Sequence, residues 1–178
     1  KIKGLIGRNL EERYSRLQAD DSLQQYLEAQ QVVSIYGVDT RALVAHIRNC
    51  GAMNCVISSE TTDLQVLKTR LSQTPSMKGL ELASVVSTKE VYETGNPHSR
   101  YRVAVFDYGV KKNILNCLTE RGAYVRVYPA KTALQEIEDF NPHGYFMSNG
   151  PGDPAPMEYA VQTICEILQK GKPSFGIC

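Results

Sequence analysis

Apolar and polar positions follow two different rhythms along this chain, and the change of rhythm divides it. From Val103 onward, short continuous apolar runs alternate with helix-length amphipathic stretches. Val103-Ala104-Val105-Phe106 reads as a strand buried on both faces of a parallel sheet, ending at Asp107-Tyr108-Gly109. A helix over 111–121, stopped by Gly122, precedes a strand over 124–127. Next come a helix capped by Thr132 and reaching Phe140, and a strand over 144–147. Met157, Ala160, Val161, Ile164, Cys165 and Leu168 form a helical stripe expected to face the core before Gly171, and 174–177 is a fourth strand. Strands alternating with helices of this length predict an α/β fold with a doubly wound, mostly parallel sheet.

The earlier part is less regular and reads as a small mixed domain. Ser22 caps a helix carrying Leu23, Tyr26 and Leu27 on one face, and 32–35 is a short strand closed by Gly37. Asp39 is the expected N-cap of a helix with Leu43, Val44 and Ile47 as its stripe and Gly51 as its stop. A second strand is expected over 53–57, then an amphipathic helix over 63–71 ended by Pro75. The run 80–86 fits helix or strand. The polar stretch Thr94-Gly95-Asn96-Pro97-His98-Ser99-Arg100 reads as a linker, giving domains over 1–93 and 101–178.

Charge and cysteine usage narrow the function. Twenty basic against nineteen acidic residues give a net charge of +1, so nothing in the bulk charge argues for nucleic acid or an anionic membrane. No apolar run approaches the roughly 20 residues that cross a bilayer, and Lys1-Ile2-Lys3-Gly4 lacks the apolar core of a signal peptide. The five cysteines are odd in number and include no C-x-x-C pair, which suggests neither a disulfide framework nor a zinc site. A cytoplasmic setting is expected, and a chain that begins without Met is expected to have lost its natural start.

Two segments carry the candidate chemistry. Ser148-Asn149-Gly150-Pro151-Gly152-Asp153-Pro154 is a loop whose prolines fix φ and whose glycines let another molecule approach the backbone. It is expected to be rigid and to present bare N–H groups. Phe175-Gly176-Ile177-Cys178 ends a strand on a thiol, where the positive end of a following helix would favour a thiolate. Taken singly, the loop is ordinary turn chemistry and the cysteine a small hydrophobe. Together they occupy the carboxyl ends of two successive strands, the edge at which parallel sheets place ligands.

Other candidates fall to structure. No G-x-G-x-x-G follows Asp107-Tyr108-Gly109, so that turn is a β-to-α connection. His46, His98 and His143 stand in no ligand spacing, Cys117 and Cys165 are expected in the core, and Asp153 is a helix cap or turn stabiliser. The residues alone offer a nucleophile and amide donors but no general base. That leaves open a Cys-dependent acyl transfer with its base beyond Cys178, another Cys-dependent hydrolase, or a non-catalytic flavodoxin-like interaction module.

The loop and the cysteine segment resemble the glutamine-site loop and the nucleophile motif of the class I glutamine amidotransferases. Within that group, the carbamoyl-phosphate synthetase small-chain family has segments similar to Gly37-Val38-Asp39-Thr40-Arg41-Ala42-Leu43, to Gly51-Ala52-Met53-Asn54 and to the stretch from Val105 through Leu115. The resemblance spans essentially the whole chain; the alternative is the amidotransferase component of another synthase, a group that shares the loop and cysteine motifs but lacks the segment Gly37 to Leu43. The resemblance implies a flavodoxin-like amidotransferase domain of which 101–178 is the N-terminal half, with Cys178 attacking glutamine to form a thioester and release ammonia. Gly150 and Gly152 would hold the substrate, with Gly150 as an oxyanion donor. It further implies no metal or nucleotide on this chain. The partner would be a large synthetase chain that uses ATP, Mg and bicarbonate in arginine and pyrimidine biosynthesis. The family's catalytic His and Glu lie downstream of the cysteine, so the 178 residues alone are expected not to turn over glutamine.

Overall fold

The computed structural model describes residues 2–11, 13 and 21–178, and the chain divides into two compact units, Lys1–Met77 and Lys78–Cys178.

In the first unit, β1 (Gly4–Ile6) pairs in parallel with β2 (Val33–Ile35). Helix α1 (Leu23–Ala29) begins with the expected cap: Ser22 Oγ accepts from Gln25 N–H, and Gln25 Oε1 accepts from Ser22 N–H at 3.1 Å. Helix α2 (Thr40–Cys50) starts where Asp39 Oδ1 accepts from the N–H groups of Arg41 and Ala42, and stops at Gly51. Asp63 caps α3 (Leu64–Ser72) in the same way. The strand expected over 53–57 does not form. Its stretch is held instead by Asn54 Nδ2, which donates to the carbonyls of Thr74 and Pro75 at 3.0 Å each. The partner of β2 is β1, whose three residues are too few to show a period.

The second unit runs α4 (Ala83–Val86), β3 (Tyr92–Thr94), β4 (Tyr101–Asp107), α5 (Lys112–Glu120), β5 (Ala123–Pro129), α6 (Leu134–Glu138), β6 (Gly144–Met147), α7 (Glu158–Gln169) and β7 (Ser174–Gly176). The sheet order is β3-β5-β4-β6-β7, with β3 antiparallel and the other four parallel. The four parallel strands form the expected doubly wound arrangement. From β4 the chain crosses to β5 on one side and returns to β6 on the other, so the order reverses between β4 and β6.

Strand alternation sorts the core into two faces. Ala104, Phe106, Tyr128 and Tyr145 point to the side packed by Leu134 and Ile137 of α6 and by Ala160 and Ile167 of α7. Val105, Val125, Val127 and Phe146 point to the other, where Leu115 of α5 covers them. Ile137 and Ile167 are fully buried, each worth about 1.5–3 kcal/mol of apolar transfer.

Four further features differ from the sequence reading. The compact units meet after Met77, because 78–100 packs into the second unit: Ala83 is fully buried, Thr88 N–H donates to Asp107 Oδ2 at 2.7 Å, and β3 pairs with β5. The stretch 94–100 is a turn between β3 and β4, closed by Ser99 N–H on the Asn96 carbonyl. Helix α6 begins after Ala133 with no side-chain cap, and Thr132 gives its N–H to Pro129 O instead. Finally, α7 docks on the line through Ala160 and Ile167, so Val161 and Leu168 are 57% and 62% exposed and Cys165 is exposed rather than core.

Candidate active site

Strand β6 ends at Met147, and the loop beyond it is tied down atom by atom. Ser148 is buried, and its Oγ accepts from Tyr108 N–H at 2.9 Å while donating to Asn149 O at 2.9 Å. The hydroxyl thus locks the end of β6 to the first residue beyond β4. The β4 turn is rigid for its own reason: Asp107 Oδ1 accepts from the N–H groups of Gly109 and Val110 at 2.9 and 2.8 Å. It is a structural turn, as its sequence suggested.

Between these fixed points, Gly150 lies against the chain leaving β4. A β-carbon on Gly150 would sit 2.2 Å from Tyr108 O, an approach that only glycine permits. Gly152 is required for a second reason as well, since its φ of +92° is left-handed and an added β-carbon would stand 2.6 Å from Leu80 O. Asp153 acts as a turn stabiliser and caps no helix: its Oδ1 accepts from Ala155 N–H and its Oδ2 from Gly79 N–H. These bonds hold its carboxyl below the ordinary range, Gly79 N–H first among them. Among the described residues, the N–H groups of Gly150 and Gly152 find no protein acceptor.

The thiol arrives from β7. Ile177 N–H donates to Met147 O at 3.1 Å, extending the β6–β7 pairing by one residue and delivering Cys178 beside the start of the loop. Cys178 is exposed. The structure therefore brings all three sequence-predicted site residues, Cys178, Gly150 and Gly152, to one cavity of about 400 Å³. Tyr108, Met147, Met157 and Ile164 also line it. It opens at the carboxyl edge of the sheet beside the point where strand order reverses. Burial pushes the Tyr108 phenol up to about 12, so that ring is neutral and mainly a wall. Asn149 Oδ1, on the same lining, is buried without a hydrogen-bond partner.

Sequence reasoning pointed to Cys178, Gly150 and Gly152, which line one cavity, but missed its apolar wall and the segment that grips Gly152 and Asp153. Met157 and Ile164 were visible only as core positions. Among the described residues, no histidine lines the cavity. His143 sits at the opposite edge, accepting Arg102 N–H on Nδ1, and His46 lies on α2 in the first unit with its Nδ1 3.8 Å from Cys50 Sγ. Among the described residues, no group of three His, Cys, Asp or Glu is placed to hold a metal ion, and no helix is long and apolar enough to cross a membrane.

Comparison with known proteins agrees with this geometry on two separate segments. Residues 104–178 match the family model for glutamine amidotransferase class-I, and residues 1–57 match that for the carbamoyl-phosphate synthase small chain, CPSase domain. The carbamoyl phosphate synthase small chain of Synechococcus sp. is 43% identical over 190 residues, covering 100% of this chain and 49% of the relative. That of Chlorobaculum tepidum is 43% identical over 176 residues, covering 98% and 48%, and that of Vibrio vulnificus 38% over 192 residues, covering 99% and 51%. The chain spans about half the length of the curated relatives it matches.

Proposed function

The chain belongs to the class I glutamine amidotransferases, in the carbamoyl-phosphate synthase small-chain family, and from that premise we propose that it carries the nucleophile half of a glutamine-hydrolysing site. Cys178 Sγ attacks the side-chain carboxamide carbon of glutamine. The C–N bond breaks, ammonia departs with the proton given up by the thiol, and water then cleaves the glutamyl thioester to glutamate. The proton passes through a base that, by resemblance, follows Cys178 in the whole protein. Gly150 N–H donates to the developing oxyanion, and Gly152 N–H holds the substrate. A donor of this kind is typically worth about 2.7–4 kcal/mol of barrier, which gives a physical reason for a loop held this firmly.

The observation that carries this reading is the shared cavity: a solvent-accessible thiol and unpaired main-chain amides line one opening of a volume suited to a small ligand. The ammonia is used by a large synthetase chain with bicarbonate and ATP, and the chain itself needs no metal or nucleotide. The product would serve arginine and pyrimidine biosynthesis in the cytoplasm, with the two chains forming a heterodimer.

The test uses the whole protein. A glutamine-analogue electrophile labels Cys178, excess glutamine blocks the label, and Cys178→Ser abolishes both the label and glutamine turnover. Labelling that glutamine does not slow, or turnover surviving in the serine variant, would leave a non-catalytic flavodoxin-like module as the better description.

A further inference from the structure

The glutamine-site loop is held from outside the amidotransferase match. Residues 79–84 lie between the two segments that match family models, yet they pack as a strap along the loop. Gly79 N–H donates to Asp153 Oδ2 at 2.8 Å, Asp153 N–H donates to Leu80 O at 2.9 Å, and Glu81 forms an antiparallel bridge with Gly152. Three consecutive strap residues thus engage two consecutive loop residues. The absence of a side chain on Gly152 lets the strap lie this close: its would-be β-carbon meets Leu80 O at 2.6 Å and Leu82 N at 2.9 Å.

The strap is itself anchored through one side chain. Glu81 Oε1 accepts from Ser84 N–H at 2.8 Å and from the Tyr159 hydroxyl at 3.1 Å, while Oε2 accepts from the Ser84 hydroxyl. One carboxylate thereby joins the first turn of α7 to the strap, and the strap's main chain joins the loop. Ala83, fully buried two residues on, fixes the strap's far end in the core. The hydrogen bonds, Ser84 hydroxyl first, hold the Glu81 carboxyl below its ordinary range, so it stays an acceptor near neutral pH.

We propose that Glu81 is a positioning residue for the candidate glutamine site, acting through the 79–84 strap on the placement of the Gly150 and Gly152 amides. It touches neither glutamine nor Cys178. Its effect is to fix where the loop stands, and a displacement near 1 Å at a catalytic group can cost about 10²-fold. The proposal rests on the amidotransferase reading above, and the experiment separates the two.

Glutamine turnover is measured in the whole protein for the parent, Cys178→Ser, Glu81→Ala, Glu81→Gln and Tyr159→Phe, alongside thermal midpoints and the rate of Cys178 alkylation by iodoacetamide. Glu81→Ala is expected to lower kcat roughly tenfold or more and to raise KM as well, since the amide acting on the developing charge and the amide holding the substrate are both displaced. Glu81→Gln keeps an acceptor oxygen and restores most of the parent rate. Tyr159→Phe, which deletes one of the three bonds, falls between. Iodoacetamide needs no amide donors and alkylates Cys178 at the parent rate in Glu81→Ala, Glu81→Gln and Tyr159→Phe. The proposal is overturned if Glu81→Ala keeps the parent kcat, if the glutamine variant is as impaired as the alanine one, or if the loss follows the thermal midpoint or iodoacetamide reactivity. A parent protein whose turnover survives Cys178→Ser overturns the glutamine-site reading instead.

Discussion

Substituting Gly150 by alanine probes the site at its tightest point. The added methyl would stand 2.2 Å from Tyr108 O and 3.0 Å from Tyr108 C and Cβ, all atoms of a turn that Asp107 and Ser148 lock in place. None of these is the far end of a flexible side chain, so the loop must move instead. Restoring ordinary contact requires a shift of about 1 Å, which at a reacting centre is expected to lower kcat about 10²-fold. That factor equals about 2.7 kcal/mol at 1.36 kcal/mol per decade, which matches the loss of one oxyanion donor. Steady-state glutaminase kinetics on the whole protein give kcat and KM. Alkylation of Cys178 by iodoacetamide in the same samples reports whether the thiol is still presented. The expected pattern is a kcat deficit near 10²-fold with normal alkylation. Turnover within about fivefold of the parent would show that the Gly150 amide makes no interaction specific to the transition state, and the assignment of the oxyanion donor would fall.

Two further perturbations test what holds the scaffold. Glu138 accepts from the Tyr145 hydroxyl and pairs with Lys172 and Lys170 at 3.1 and 3.2 Å, Tyr145 being the main cause of a carboxyl depressed from 4.5 to about 2. A depressed folded-state pKa stabilises the fold above the ordinary value. That contribution is lost as pH falls from about 4.5 towards about 2, so Glu138→Gln is expected to lower the thermal midpoint at pH 7 and to remove most of the difference from the parent by pH 2. An undiminished difference at low pH would contradict the charge-based account. Ser148→Ala leaves Tyr108 N–H without its buried acceptor, an expected loss of about 1–3 kcal/mol in denaturant unfolding, and an unchanged midpoint would show the lock to be dispensable.

The parallel part of the fold was legible because its strands are buried on both faces, so Val103-Ala104-Val105-Phe106 and Gly144-Tyr145-Phe146-Met147 advertise themselves as continuous apolar runs. Caps at Ser22 and Asp39 were legible because a side-chain acceptor just before an apolar period has a local meaning. The candidate residues Cys178, Gly150 and Gly152 were legible because a strand-end thiol and a Gly/Pro loop are also local patterns. Residues that act at a distance in sequence were not. Glu81 reaches Tyr159 across 78 positions, and β3 pairs with β5 through three residues too short to show alternation. The helical stripe of α7 predicted which residues are apolar but not which side would be covered, because that depends on where the helix meets the sheet.

The two margins of the sheet are built differently. Strand β3 carries Glu93 at its centre, bonded to Arg126 and to the Tyr124 hydroxyl, while β7 presents Ser174-Phe175-Gly176 with no charge and the Phe175 ring 63% exposed. A charged, short margin discourages a foreign strand, whereas a neutral margin with an aromatic at its middle invites one. Among the described residues no strand pairs with the outer side of β7, so its open backbone groups run up to the residue that carries the thiol.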